Sequence, residues 1–358
     1  MKQHIIIFSL ILVFSNLSLH SLYGQEVKLV NKFKTNSRLY SSPIVNANDD
    51  VIFGGHDKNI YFFNKNTELV CIYKTNGWIH ATPTLLSNNT FIVGSYDKLI
   101  YTFSSSGELL NKFQPGGRIF SKILELPNNM LAFGSNKLGL AFYSRSDSLV
   151  QYAFKTKKLM HSNMSLSSSG LVYTGCLDKN VYAVNQNAEP IRQFKTQAWL
   201  LHSRPTILPN GLMVIGSYDH SIYFLDSLFK LVSKFETQGR IHGNPLIIND
   251  STVVIGSFDK NIYFLSTDGK LRFKFETQGK VVSSPVLLHD GTIVICSYDS
   301  FVYFLNPQGE LIAKYKTDGH IFSTPAVMSD DTIVLGSNDH YIYFLKLIKK
   351  KSSIESKN

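Results

Sequence analysis

The sequence lacks the short motifs that mark common catalytic and metal sites. It has no CxxC pair, no HExxH, no GxSxG and no phosphate-binding P-loop. Its three cysteines, Cys71, Cys176 and Cys296, are too few and too far apart for a disulfide framework, and we expect them to be small buried thiols. Segments with a helical hydrophobic period are also missing, so helix should be almost absent. No enzyme class is therefore indicated by a motif.

The first 24 residues are typical of a secretory signal peptide. Lys2 supplies a positive start, residues 5–14 are almost continuously apolar, and a polar stretch leads to Gly24. The apolar run is shorter than the roughly 20 residues that span a membrane. We predict cleavage after Gly24, export to the periplasm or the exterior, and no transmembrane segment in the mature chain. No cysteine lies near this site, so a lipid anchor is not expected.

The chain is basic, with a formal net charge of +10 and part of that charge in its C-terminal residues. A positive field favours anionic partners. After export, nucleic acid is not an expected target, whereas an acidic ligand or an anionic component of the cell envelope is.

A unit of about 40 residues occurs eight times along the chain, which indicates a repeat architecture. Copies aligned on a Gly-Ser-x-Asp phrase are spaced by 40, 40, 41, 41, 40, 40 and 40 residues, and Lys137 replaces the aspartate in the third copy. The seven aspartates are Asp57, Asp97, Asp178, Asp219, Asp259, Asp299 and Asp339.

Each copy contains four strand-like segments separated by turn residues. In the sixth copy they are residues 244–248, 252–255, 262–265 and 271–277. Four antiparallel strands per 40 residues are typical of a β-propeller blade. The chain begins with a spare fourth strand at residues 30–35 and ends after a third strand at residues 341–345, so joining them would leave no exposed edge. We predict an all-β, eight-bladed propeller over residues 25–348, followed by a basic, polar tail at residues 349–358.

The repeat resembles the PQQ-like β-propeller repeat. The likeness rests on Ser-Ser-Pro-Val at residues 283–286, Asp-Gly-Thr-Ile-Val-Ile at 290–295, Ser-Tyr-Asp at 297–299 and Val-Tyr-Phe-Leu at 302–305, and it covers residues 26–345. Proteins with this repeat include quinoprotein dehydrogenases and the propeller lipoprotein of the outer-membrane barrel assembly machinery. The resemblance implies the fold, and it implies function much less directly.

The chain departs from the enzymes with this repeat. Their docking tryptophan is replaced by Cys71, Asn111, Phe273 and Ala313 in four copies, and their adjacent cysteine pair is absent. No acidic and amide cluster matches their calcium site. The resemblance therefore favours the non-enzymatic branch similar to the barrel-assembly propeller, and we expect no cofactor and no bound metal.

Positions that are nearly constant across the copies are explained by the blade itself. Each aspartate can accept hydrogen bonds from backbone N–H groups in its own tight turn, so we interpret the seven as structural turn caps. A recurring tyrosine follows four residues later and should pack between blades. It occurs as Tyr61, Tyr101, Tyr182, Tyr223, Tyr263, Tyr303 and Tyr343.

The start of the first strand is where the copies differ most. An apolar column runs through the copies and includes Leu39, Ile79 and, in the fifth copy, Leu201. The residues on either side of this column alternate to the other face and mix cations with aromatics. They should line a funnel on the face that carries the Gly-Ser-x-Asp turns. These candidate binding residues are Arg38, Tyr40, Trp78, His80, Arg118, Phe120, His161, His202, Arg240, His242, Lys280, His320 and Phe322.

Three interpretations of these columns remain open at the level of sequence. The side chains could serve packing alone. His161, His202 and His242 fall on consecutive copies and could bind a metal through imidazole nitrogens. Arginine and aromatic residues are also the types that dominate protein interfaces.

We therefore predict an exported, non-enzymatic scaffold that binds a protein or an envelope component through this face. The alternative is a metal- or quinone-dependent enzyme with its site in the funnel. Docking of the basic surface on anionic lipid or polysaccharide is a third hypothesis.

Overall fold

The computed structural model describes residues 25–349. The predicted signal peptide and residues 350–358 of the predicted tail lie outside the described residues.

The described chain consists of 32 strands, β1–β32, and contains no helix. It begins with β1 (Gln25–Lys34). Blade 1 consists of β2 (Ile44–Val45), β3 (Val51–Gly54), β4 (Asn59–Phe63) and β5 (Leu69–Lys74), and blade 2 of β6 (Thr84–Leu85), β7 (Phe91–Gly94), β8 (Ile100–Phe103) and β9 (Leu109–Phe113). Blade 3 consists of β10 (Leu124–Leu126), β11 (Met130–Ser135), β12 (Gly139–Ser144) and β13 (Leu149–Phe154), and blade 4 of β14 (Met164–Leu166), β15 (Val172–Gly175), β16 (Asn180–Val184) and β17 (Pro190–Lys195). Blade 5 consists of β18 (Thr206–Ile207), β19 (Met213–Gly216), β20 (Ser221–Leu225) and β21 (Leu231–Glu236), and blade 6 of β22 (Leu246–Ile248), β23 (Thr252–Gly256), β24 (Asn261–Ser266) and β25 (Leu271–Glu276). Blade 7 consists of β26 (Val286–Leu287), β27 (Ile293–Cys296), β28 (Phe301–Leu305) and β29 (Leu311–Lys316). Blade 8 contains β30 (Ala326–Val327), β31 (Thr332–Gly336) and β32 (Tyr341–Lys349).

The strands form eight antiparallel sheets of four strands each, as the sequence predicts. In blades 1 to 7 the four strands are consecutive in the chain. Blade 8 has the order β1-β32-β31-β30, so the N-terminal strand supplies the strand that the last repeat lacks. The pairing between β1 and β32 runs from Gln25 opposite Lys349 to Lys34 opposite Tyr341, with one bulge between Leu29 and Asn31. The predicted closure of the ring is confirmed, and the closing pair is longer than the sequence indicated.

The core lies between neighbouring blades. The second and third strands are buried along nearly their whole length, whereas the fourth strands alternate between partly buried and exposed residues. Eight apolar clusters of buried residues fill the eight interfaces. The cluster between blades 2 and 3, for example, joins Ile92 and Ile119 to Phe133 and Ala141. Each blade therefore buries its apolar faces against its two neighbours, which is how a ring of repeats is stabilised.

The first glycine of the repeated turn phrase, Gly54 in the first copy, allows one blade to approach the next. A Cβ atom placed on Gly54 would lie 2.2 Å from Cγ2 of Ile79, which belongs to the apolar column of the following copy. Ile79 is fully buried at this point. The close approach sets where each first strand starts, and hence where the variable residues beside the apolar column lie.

The three cysteines are free thiols that are shielded from solvent to different degrees. Cys176 and Cys296 are buried and Cys71 is partly buried, and none of the three forms a disulfide. Burial raises the pKa of the Cys176 thiol to about 11, so this thiol is inert near neutral pH.

Among residues 25–349 there is no helix of the length and apolar character needed to cross a membrane.

Candidate functional site

The aspartates of the Gly-Ser-x-Asp turns accept hydrogen bonds from nearby residues of the same blade through both carboxylate oxygens. Oδ1 of Asp259 accepts the backbone N–H of Asn261 at 3.0 Å, and Oδ2 accepts the hydroxyl of Tyr263 at 2.8 Å. Burial opposes the charge of Asp259, but hydrogen bonds from Tyr263, Asn261 and Gln238 outweigh it and lower the pKa of this carboxyl. The same tyrosine-to-aspartate bond occurs in all seven copies that have the aspartate.

These carboxylates also link one blade to the next. Oδ2 of Asp259 accepts the backbone N–H of Gln238 at 2.8 Å, and Gln238 lies in the turn that leaves the preceding blade. Among the described residues, six of the eight junctions between blades have such a bond, which joins Asn36 to Asp57, Asn76 to Asp97, Gln197 to Asp219, Gln238 to Asp259, Gln278 to Asp299 and Asp318 to Asp339. The tyrosine and inter-blade partners were not foreseen from the sequence.

We use the name turn face for the side of the disc that carries the Gly-Ser-x-Asp turns. The residues that precede the apolar column lie on this face, because the backbone N–H of Tyr96 in the second turn donates to the carbonyl of Trp78 at 3.0 Å. The equivalent bond joins Phe258 to Arg240 and Tyr298 to Lys280, each at 2.9 Å. The predicted residues Arg38, Trp78, Arg118, Arg240, Lys280 and His320 are all exposed there.

Cations and aromatic rings alternate on the turn face in a regular way. The side chain that starts one blade lies over the aromatic residue in the turn of the preceding blade. The guanidinium of Arg240 lies 5.3 Å from the ring centre of Tyr218, and the ammonium of Lys280 lies 5.6 Å from that of Phe258.

Three further pairs continue the pattern. Trp78 stacks on His56 at 5.1 Å with an interplanar angle of 8°, His320 stacks on Tyr298 at 5.4 Å, and Arg118 lies 6.0 Å from Tyr96. The turn face is thus a ring of exposed cation–aromatic and stacked aromatic pairs.

The fifth copy corrects the sequence alignment by one residue. Leu200, not Leu201, occupies the apolar column: it is fully buried, and its N–H donates to Cys176 at 3.3 Å as that of Ile79 donates to Gly55. The extra residue of this copy is absorbed at His202, whose φ is +64°. Trp199 therefore takes the position equivalent to Trp78, a site residue that the sequence analysis missed.

The second predicted column forms what we call the axial ring, one residue from each blade around the central axis. Its members are Tyr40, His80, Phe120, His161, His202, His242, Val282 and Phe322. Rings from blades that are not neighbours touch across the axis: His80 lies 5.4 Å from His202, and Phe322 lies 6.1 Å from His202 and 5.0 Å from His242. The funnel that we expected on the turn face is therefore closed at its floor by this ring.

The four histidines of the axial ring are held neutral. Burial is the main cause: it lowers the pKa of His80 to about 3 and the pKa values of His161 and His242 to about 4. Burial and the three neighbouring imidazoles lower the pKa of His202 well below its usual range. Nδ1 of His242 donates to the carbonyl of Val282 at 3.1 Å.

The arrangement of these histidines differs from a metal site. The nearest of their ring centres, those of His202 and His242, are 4.5 Å apart and tilted by 34°. Among residues 25–349, no group of three or more His, Cys, Asp or Glu side chains is placed to hold a metal ion. Nδ1 of His161 is buried and has no hydrogen-bond partner among these residues.

Beyond the axial ring, the central channel contains a cavity of about 410 Å³, which we call the axial cavity. It extends from the axial ring along the first strands toward the face opposite the turn face, where Leu85, Leu124 and Glu125 line it. The axial ring therefore lies between the turn face and the axial cavity, which is partly open to solvent and whose lining residue Arg204 is exposed.

Eight four-stranded blades closed around this axis define the class of the protein as an eight-bladed β-propeller. No family model matches the chain, and no curated protein matches it in sequence. Three of the solved structures that share the fold show how far the likeness extends.

BamB from Moraxella catarrhalis is similar with a TM-score of 0.74 at 13% sequence identity, covering 91% of this chain and 99% of its own. The computationally designed protein Ika8 is similar with a TM-score of 0.73 at 13% identity, covering 87% and 96%. The WD40 β-propeller domain of Doa1 has a TM-score of 0.61 at 16% identity, covering 92% and 98%. At these identities the similarity establishes the fold, which agrees with the PQQ-like resemblance of the repeats.

Proposed function

We propose that the protein is an exported, non-enzymatic scaffold that binds another protein through the turn face. The observation that carries this proposal is the placement of both tryptophans of the chain. Trp78 and Trp199 occupy equivalent positions on blades 2 and 5, and 49% and 53% of their surfaces remain exposed. A large apolar side chain left half-exposed gains stability when a partner covers it, and tryptophan is enriched in interface hot spots.

The cations that surround the two tryptophans indicate the chemical character of the partner surface. Arg38, Arg118, Arg240 and Lys280 supply four cations on the same face. Three of these cations lie over aromatic rings, so they are held in place before a partner arrives. A protein surface that combines acidic groups with apolar or aromatic ones fits this pattern. The structural likeness to the BamB and WD40 propellers is consistent with a scaffold, and the signal-peptide pattern of residues 1–24 supports export.

The test is affinity purification from the native host after cross-linking, with the recovered partner then titrated against purified protein. A double variant, Trp78→Ala with Trp199→Ala, should weaken the complex at least tenfold, because each hot-spot truncation removes about 2 kcal/mol or more. Arg240→Glu should weaken it further. The matched control is Leu110→Ala with Leu231→Ala, which truncates two side chains that are 51% and 50% exposed on fourth strands away from the turn face.

Equal binding by the tryptophan variant and the control would contradict the proposal. Stoichiometric metal or quinone in the purified protein, lost on His202→Ala, would instead support the enzyme hypothesis.

A further inference from the structure

A second circle of residues lies two positions after the axial ring in each blade, and we call it the polar ring. All eight of its members line the axial cavity, and they are Ser42, Thr82, Lys122, Asn163, Arg204, Asn244, Ser284 and Thr324. No other part of the channel wall is so uniformly polar. Since a polar lining in the centre of a protein must be satisfied, the hydrogen bonds of this ring decide what the cavity can hold.

The acceptor atoms of the ring are largely used by the blades themselves. The backbone N–H of Asn244 donates to Oγ of Ser284 at 2.8 Å, and that of Ser284 donates to Oγ1 of Thr324 at 2.9 Å. The N–H of Thr324 donates to Oγ of Ser42 at 3.0 Å, and that of Arg204 donates to Oδ1 of Asn244 at 2.8 Å. Each hydroxyl keeps its own proton to donate, and Asn244 keeps its amide NH₂.

Two blades break the neutral pattern with cations. Lys122 and Arg204 occupy ring positions where the other blades have a hydroxyl or an amide. Neither forms an ion pair with a carboxylate within residues 25–349. Burial, and then the charge of Arg204, lowers the pKa of Lys122 to about 8, because an ammonium is poorly solvated at this position.

The one carboxylate among the residues that line the cavity is already engaged elsewhere. Glu125 lines the cavity, but Oε1 lies 3.0 Å from Nη2 of Arg145 and also accepts the hydroxyl of Ser87 at 3.0 Å. Its other oxygen accepts the backbone N–H of Ser87 at 2.7 Å. The cavity thus presents two cations and several hydrogen-bond donors, and its one lining carboxylate is already paired with Arg145.

We propose that the axial cavity binds a small oxyanion ligand that carries two negative charges, of the phosphate or dicarboxylate class. Lys122 and Arg204 neutralise the charge, and Asn244, Ser284 and Thr324 donate hydrogen bonds to the remaining oxygens. Arginine is well suited to this role because its planar fork matches an oxyanion. The volume of about 410 Å³ falls within the range of small-molecule sites. The site lies on the other side of the axial ring from the turn face, so it goes beyond the proposed scaffold function and stands independently of it.

The test is isothermal titration calorimetry on the full-length mature protein after exhaustive dialysis, at pH 7 and constant ionic strength. Inorganic phosphate and succinate are titrated separately, because they distinguish the two oxyanion classes. We expect saturable 1:1 binding of at least one of them. Lys122→Met and Arg204→Met should each weaken it at least tenfold, and Lys122→Arg should retain it.

Two further variants make the result specific. Asn244→Asp keeps the shape of the side chain and its bond with the N–H of Arg204, but it supplies an internal carboxylate, so it should abolish binding in a folded protein. Lys74→Met removes one positive charge from the exposed outer strand β5 and should leave binding unchanged. The proposal is overturned if neither anion shows saturable binding, if Lys74→Met weakens binding as much as Lys122→Met, or if Asn244→Asp binds normally.

Discussion

Acidification from pH 7 to pH 5 should destabilise the propeller through the four histidines of the axial ring. Each has an ordinary pKa of 6.5, which applies in the unfolded chain. In the fold the pKa of His80 is about 3, the pKa values of His161 and His242 are about 4, and the pKa of His202 is well below its usual range. The unfolded state therefore binds more protons than the folded state between these values. The stabilisation is complete above pH 6.5 and is lost as the pH falls toward 4, at about 1.4 kcal/mol per pH unit for each histidine.

The expected size of the effect is large compared with the stability of a protein. At pH 5 a histidine that stays neutral in the fold loses up to about 2 kcal/mol of stabilisation relative to pH 7. Water entry into the axial cavity would reduce this, so we expect about 4 to 7 kcal/mol for the four together. Typical folded proteins have only about 5–15 kcal/mol in total. The assay is the free energy of unfolding in guanidinium chloride at pH 7, 6 and 5.

The variant His161→Phe separates this effect from general acid sensitivity. His161 stacks on Phe120 with ring centres 4.2 Å apart, and a phenylalanine can keep that stack. Since Nδ1 of His161 is buried without a partner, the replacement also removes an unsatisfied polar atom. We expect stability at pH 7 to be unchanged or higher by about 1 kcal/mol. The slope of stability against pH between 6 and 5 should fall by up to about 1.4 kcal/mol per unit.

A matched control uses His220, an exposed histidine in a Gly-Ser-x-Asp turn whose φ is +68°. Asparagine tolerates this backbone conformation, so His220→Asn removes an imidazole without strain. The reasoning fails if His161→Phe leaves the slope as steep as in the wild type, or if His220→Asn flattens it equally.

Two further predictions concern the hydrogen bonds between blades and the closure of the propeller by β1. Asp259→Ala removes the carboxylate that accepts hydrogen bonds from Asn261, Tyr263 and Gln238, so it should lower the free energy of unfolding in urea by about 2–3 kcal/mol. The control, Asp290→Ala, loses one turn bond to Thr292 and should lower it by about 1 kcal/mol or less. Equal losses would contradict the inter-blade role. Deletion of residues 25–34 removes β1 and leaves the edge of β32 unpaired. Thermal scanning should then show a large drop in Tm, and light scattering should show self-association through the unpaired edge. An unchanged Tm in a monomeric protein would contradict closure by β1.

The blade count and the closure of the ring could be predicted from the sequence because both depend on the repeat period and on which strand is left over at each end. The bond between each aspartate and the tyrosine four residues later was missed, although a signal was present. The third copy lacks both, with Lys137 and Ala141 in their places. The joint absence indicates a contact that no single copy reveals.

Contacts across the axis were beyond the reach of the sequence. His80 and His202 lie three blades apart in the chain, yet their imidazole rings are 5.4 Å apart because closure of the propeller brings non-neighbouring blades together at the axis. The register of the fifth copy was wrong by one residue because its insertion lies within the variable segment at His202, where the pattern is weakest. The polar ring was overlooked because Lys122 and Arg204 are single cations in a column of otherwise neutral residues.

The inter-blade hydrogen bonds to the turn aspartates are unevenly distributed around the disc. Among the described residues, the two junctions without one lie on either side of blade 3, the blade in which lysine replaces the turn aspartate. Blade 3 is held to its neighbours by other hydrogen bonds: Oγ1 of Thr84 in blade 2 donates to the carbonyl of Ile123 at 2.6 Å, and the backbone N–H of Lys122 donates to Oδ1 of Asn163 in blade 4 at 3.2 Å. These residues line the axial cavity, so the blade that carries Lys122 is joined to its neighbours beside the channel rather than through aspartates at the turn face.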